Sequence, residues 1–150
     1  MDRSAFLDKP AFKLEIVLCL LWARLLISCL PFRRWRKALG PIADQPGANL
    51  PPALQPAQLE KAVDTGRLIR KVAGHMPFRA DCLPQAMTGR WMLARRGIET
   101  RVAIGSRRGT EEDGLLFHAW LLAGDRIVTG GDESTEFAPF GLSQDPDPRV

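Results

Sequence analysis

Five side chains could carry nucleophilic or proton-transfer chemistry near neutral pH: the thiols of Cys19, Cys29 and Cys82 and the imidazoles of His75 and His118. A thiol becomes a working nucleophile when an imidazole takes its proton and a carboxylate holds that ring, so the cysteine–histidine pairings are few. Cys19 and Cys29 fall inside the apolar run "FKLEIVLCLLWARLLISCLPFRRWRKALG", where a cysteine usually serves as a small hydrophobe. Cys82 stands in "RADCLPQAMTGRWMLARRGIE", residues 79–99, where a helical pattern begins. Asp81 is a good N-cap, Pro84 is tolerated in a first turn, and Gly97 suits the position just past the end. Leu83, Ala86, Met87, Trp91 and Ala94 supply the apolar stripe. In a first helical turn, unpaired N–H groups and the positive end of the dipole favour a thiolate and can hold an oxyanion. The Cys82 N–H, with Gln85 as an additional donor, would serve that purpose. Position alone leaves a small buried hydrophobe as the alternative for Cys82.

His118 enters on the first strand of "LLFHAWLLAGDRIVTGGD", which reads as a hairpin. With Gly124-Asp125 as a two-residue turn, Leu122 faces Ile127, Trp120 faces Thr129 and His118 faces Gly131, and His118 shares a face with Trp120. Asp132 is one residue out of strict register, and a bulge at Gly130-Gly131 would bring it opposite His118. Asp125 is the competing carboxylate, but the strand separates it from His118 by roughly 20 Å. His75, in the turn "GHMPFR", is the weaker base and reads as a solvated loop histidine. The candidate catalytic set is therefore Cys82, His118 and Asp132.

The elements that must position this set are legible in outline. At 150 residues and 45% hydrophobic, the chain suits one domain with a single core. The spacing predicts a helix from about Ala11 to Leu30, closed by Pro31 and a basic segment. A second, amphipathic helix runs from about Ala57 to Ala73 and should pack beside the first. "GIETRVAIG" alternates as a strand, and "SRRGTEEDG" is a charged loop. The expected organisation is an N-terminal helical segment (1–40), a Pro-rich connector (41–56), a core (57–142) and a flexible acidic tail (143–150). The fold class is α+β, with a cysteine-bearing helix packed on a small antiparallel sheet.

Charge narrows the partners. The net charge of +4 is uneven, with eight Lys/Arg against four Asp/Glu in the first fifty residues. A solvated basic face is the plain reading, with contact to an acidic partner or lipid as the alternative. Nucleic acid is not expected, because the basic residues lack interleaved aromatics and no recognised binding signature appears. Three cysteines without CxxC spacing argue against zinc and disulfide scaffolds and place the chain in a reduced, cytoplasmic setting. Glu15 and Arg24 break the apolar run into stretches far below the ~18 residues of a membrane span. That helix is expected to be buried or covered by a partner, with docking at a membrane surface, helped by Arg33, Arg34, Arg36 and Lys37, as the alternative.

"DCLPQAMTGRWMLARRGIETRVAIGSRR", "FHAWLLAGDRIVTGGD" and "TEFAPF", together with "LLISCLPFRRWRKALG" in the apolar start, resemble the transglutaminase-like leader peptidases of lasso-peptide biosynthesis. The resemblance implies a papain/transglutaminase-like fold with Cys82 as nucleophile, His118 as base and Asp132 as orienting acid. It also implies removal of the leader from a ribosomally made precursor peptide before a separate lasso cyclase acts, with no metal or nucleotide cofactor. Some members fuse a precursor-recognition domain to the peptidase; this chain has no room for one, so a separate leader-recognition protein is expected. Family members often place the acid closer to the histidine than "TGGD" does. An acyltransferase using the same triad, or a non-catalytic peptide-binding module, are the competing functions.

Overall fold

The computed structural model describes residues 9–40, 52–131 and 137–139. Helix α1 spans Pro10–Cys29, a short helix α2 spans Phe32–Trp35, and a 3₁₀ turn follows at Arg36–Leu39. Helix α3 covers Pro56–Ala73 and α4 covers Cys82–Ala94. Strands β1 (Arg101–Arg108), β2 (Leu115–Ala123), β3 (Arg126–Thr129) and β4 (Ala138–Pro139) form one antiparallel sheet in the order β3-β2-β1-β4. The fold is α+β: α4 lies between α1 and the sheet, while α3 packs directly on β3.

Helix boundaries follow local chemistry. Pro10 and Pro56 open α1 and α3, where a missing N–H costs nothing. Gln55 and Gln58 add a reciprocal cap to α3. At the end of α4, Gly97 takes a φ of +70° while its N–H donates to Ala94 and that of Ile98 to Leu93, so the chain turns towards β1 with its carbonyls satisfied.

Two apolar clusters meet at α4. On one side Met92 packs with Phe12, Ile16 and Leu20 of α1 and Ile69 and Ala73 of α3, so the first two long helices lie together as their spacing predicts. On the other, Ala86, Met87 and Leu93 pack with Val102, Leu121 and Val128 of the sheet. The single apolar stripe expected of α4 is therefore too narrow. Residues 86–89, 92 and 93 are all buried, while Ala94 is exposed, because a helix sandwiched between two layers must bury two faces.

An ion-pair group fastens α1 to the end of α4. Both oxygens of Glu15 are gripped, Oε1 by Arg95 and Oε2 by Arg96, each at 2.6 Å. The hydrogen bond from Arg96, with that from Arg95, holds the Glu15 carboxyl below its ordinary pKa against the opposing effect of burial. The acid that interrupts the apolar run is thus an anchor. The basic segment after Pro31 is helical, within the stretch 1–40 read as a helical segment. Trp35 and Leu39 are its buried anchors, and Ala38 accepts a hydrogen bond from the Trp91 indole at 3.2 Å.

The sheet departs from expectation in three places. Strand β1 begins at Arg101, four residues into the run "GIETRVAIG" read as strand, and extends to Arg108, three residues into the segment read as loop, because Ser106, Arg107 and Arg108 continue the ladder opposite Phe117, Leu116 and Leu115. Strand β4, with Gly105 opposite Pro139, has no counterpart in the sequence reading; a proline fits there because β4 is an edge strand. The third departure is the hairpin register, which bears on the site.

Candidate active site

Cys82 is the first residue of α4, so its thiol stands at the helix start as expected. Asp81 has the extended backbone of an N-cap, but its side chain makes no capping bond. Instead its carboxylate pairs with Arg79 at 3.4 Å, a competing partner two residues away. The first N–H groups of a helix have no carbonyl in their own helix, and here Pro84 has no N–H to offer, so the donors at this end are those of Cys82 and Leu83. Gln85 donates from its side-chain amide to the Ala80 carbonyl at 2.8 Å. It thereby holds the segment leading into Cys82, a different task from the oxyanion contact suggested for it.

His118 lies on β2, the strand paired on both sides, and is 7% exposed. Its ring stacks on Trp120 at 5.9 Å between centroids, as their shared face predicts, and packs against Phe137 at 5.0 Å. The guanidinium of Arg107 covers the Phe137 ring at 5.1 Å. His118 Nε2 is 2.8 Å from the carbonyl oxygen of Gly130. A carbonyl oxygen can only accept, so the neutral ring donates from Nε2 and its basic lone pair resides on Nδ1.

The turn is Gly124-Asp125, and Leu122 faces Ile127 as expected, but Thr129 pairs with Leu121 instead of Trp120. The register shifts between Leu121 and Leu122, ahead of the Gly130-Gly131 bulge inferred from sequence. Val128 is the extra residue, standing between Ile127, which faces Leu122, and Thr129, which faces Leu121, and it packs in the core with Leu121 and Met87. Gly130 follows with a φ of +76°, and a Cβ there would stand 2.6 Å from the Ala119 carbonyl oxygen. A residue without a side chain is what lets the carbonyl of position 130 approach the His118 ring.

Cys82 and His118 line the same cavity, about 540 Å³ in volume, together with Arg70, Arg79, Asp81, Gln85, Phe117 and Gly130. The structure thus brings together the first two members of the candidate set. The third, Asp132, lies outside the described residues. His75 belongs to another environment, its Nδ1 lying 2.7 Å from the Lys71 carbonyl oxygen at the end of α3, and Asp125 remains at the hairpin turn. Cys19 and Cys29 sit on α1, away from this cavity.

Sequence reasoning missed Arg70, Arg79, Phe117 and Phe137. The "TEFAPF" motif contains Phe137 but does not say what it packs on, and the two arginines had no local signal at all. With an opening bordered by two guanidiniums, a thiol at a helix start and an imidazole with a defined tautomer, the arrangement can perform nucleophilic attack on a carbonyl and protonate the group that leaves. The sequence profile described as the Transglutaminase-like superfamily matches residues 26–141. That superfamily typically includes cysteine proteases and acyltransferases. No curated protein and no solved structure gives a match.

Proposed function

Because the chain belongs to the transglutaminase-like superfamily, we propose that it is a cysteine peptidase that removes the leader from a lasso-peptide precursor. The observation that carries the catalytic part is the shared cavity of Cys82 and His118, with the His118 tautomer set by Gly130. The leader-peptidase part is supported by the resemblance of "DCLPQA", "RRGI" and "HAW", in that order, to such enzymes.

In this reading His118 Nδ1 takes the Cys82 proton, and the thiolate attacks the carbonyl carbon of the leader–core junction. The oxyanion is met by the N–H groups of Cys82 and Leu83. As the C–N bond breaks, His118 returns the proton to the departing core amine, leaving the leader as a thioester on Cys82. Water, deprotonated by His118, then attacks the thioester, releases a leader carboxylate and restores the thiol. Asp132 is the proposed orienting acid, sharing with the Gly130 carbonyl the N–H that His118 donates from Nε2, since Nδ1 is used for the Cys82 proton.

A separate recognition protein presents the leader in this proposal, and the lasso cyclase takes the core afterwards. A leader is short and flexible, so its capture costs ordering entropy that a second protein gripping it would offset. The test is to incubate the protein with its precursor, with and without the recognition protein, and weigh the products. One junction cut, with a free carboxylate on the leader and efficiency falling steeply without the partner, supports the proposal. An amide in place of the carboxylate would identify an acyltransferase, and no cleavage under any condition would refute the peptidase.

A further inference from the structure

We propose that the outer face of α1 docks on an anionic lipid surface, with the helix lying in the plane of the interface. The inner face of α1 is committed to the core through Phe12, Ile16, Leu20 and Ala23. The opposite face is also apolar: Leu14, Leu18, Leu21, Trp22 and Leu25 follow helical spacing and are each 41–57% exposed. Phe32, just past the helix end, extends the stripe at 49% exposed. Six of the nine large exposed hydrophobics among the described residues belong to this one stretch. A helix of twenty residues is about 30 Å long, so the stripe is far larger than the scattered apolar surface expected of a protein facing only water.

Charge identifies the occupant. Residues 9–40 contain seven Lys/Arg and a single acid, Glu15, which is held by Arg95 and Arg96. This stretch is net +6 while the whole chain is +4, so the rest of the protein is net negative. The cations bracket the stripe: Lys9 and Lys13 stand exposed at its start, and Arg33, Arg34, Arg36 and Lys37 stand exposed beyond its end. Apolar side chains that enter an acyl boundary, a tryptophan among them, and cations at the level of the headgroups are the composition of an interfacial helix. A second copy of the chain fits poorly, because stacking two such faces antiparallel would set the cationic end of one against that of the other. No helix among the described residues is long and apolar enough to cross a membrane, so the contact is one of lying on the surface.

The experiment is co-sedimentation of the full-length protein with vesicles of phosphatidylcholine containing phosphatidylserine, compared with phosphatidylcholine alone. The expected result is partition onto the mixed vesicles, reversed by raising the salt to about 0.5 M. Replacing Arg33 and Arg34 by Gln should lower the partition about fivefold for each charge removed. Leu18→Glu should abolish it while circular dichroism and the thermal melt stay unchanged, since the Leu18 side chain is already 56% exposed. The tryptophan emission that vesicles shift to the blue should be the part missing from Trp22→Phe. Protein that stays in the supernatant with mixed vesicles overturns the proposal. So does equal binding to both vesicle types, or binding indifferent to Arg33 and Arg34. A concentration-dependent dimer that Leu18→Glu dissolves, without vesicle binding, would assign the face to a second copy instead.

Discussion

Adding one methyl group at Gly130 should disable the site without touching a reacting atom. At a φ of +76° an alanine carries a left-handed backbone cost of about 1–2 kcal/mol. Its Cβ would also stand 2.6 Å from the Ala119 oxygen, 3.0 Å from Trp120 Cβ and 3.1 Å from His118 Nε2. The first two neighbours belong to β2, which is paired on both sides and cannot give way, so segment 130 must retreat. Retreat stretches the 2.8 Å contact between the Gly130 oxygen and His118 Nε2, and the imidazole loses the partner that fixes its tautomer. Strain and lost packing together should cost about 2–4 kcal/mol of stability. Misplacing a catalytic base by about 1 Å should lower kcat about a hundredfold, with KM little changed. Gly131→Ala is the control, because among the described residues its Cβ would meet Ile127 alone, Cγ2 at 3.3 Å and Cβ at 3.7 Å, and it should cost less than about 1 kcal/mol. Urea unfolding, cleavage kinetics and the nitrogen chemical shifts of the His118 ring measure the three effects. A Gly130→Ala protein as stable and as active as the parent would refute the role given to this carbonyl.

Three further outcomes follow from the packing. Glu15→Gln should destabilise by about 2 kcal/mol, mostly through Arg96, which is 18% exposed, since the half-exposed Arg95 adds little. Because the folded-state pKa of Glu15 is depressed, its contribution is present above the ordinary value of 4.5 and lost as pH falls through the lower folded value. Parent and Glu15→Gln urea midpoints should therefore converge in acid, and a difference that persists there would contradict this. Thr129→Val should be neutral or stabilising by up to about 1 kcal/mol in the same assay, since the Thr129 hydroxyl is buried without a hydrogen-bond partner among the described residues; a clear loss would show that the hydroxyl has one. Phe137→Ala should cost about 3 kcal/mol and free the His118 ring, lowering kcat more than it raises KM, and an effect on stability alone would limit Phe137 to packing.

What could be read in the sequence was what neighbouring residues decide. Asp81, Pro84 and Gly97 bracket α4 closely enough to place Cys82 in its first turn, and Gly124-Asp125 sets the turn and the nearest cross-strand pair. The register beyond that pair was not legible, because the extra residue is Val128, whose partners in the core lie on other elements and leave no local signal. For the same reason Trp35 and Leu39 were hidden in a run of arginines and lysine, where charge masks the anchors until Trp91 supplies their partner. Arg70 and Arg79 reach the cavity from the last turn of α3 and the segment after it, a convergence that only tertiary structure creates.

The central claim, that Cys82 attacks the junction and water resolves the thioester, is tested most directly by cleaving the precursor in heavy-oxygen water and weighing the released leader. The account predicts one heavy oxygen in the new leader carboxylate with the parent protein, and no cleavage by folded Cys82→Ala or His118→Ala. Cleavage by either variant at a rate near the parent's would contradict it.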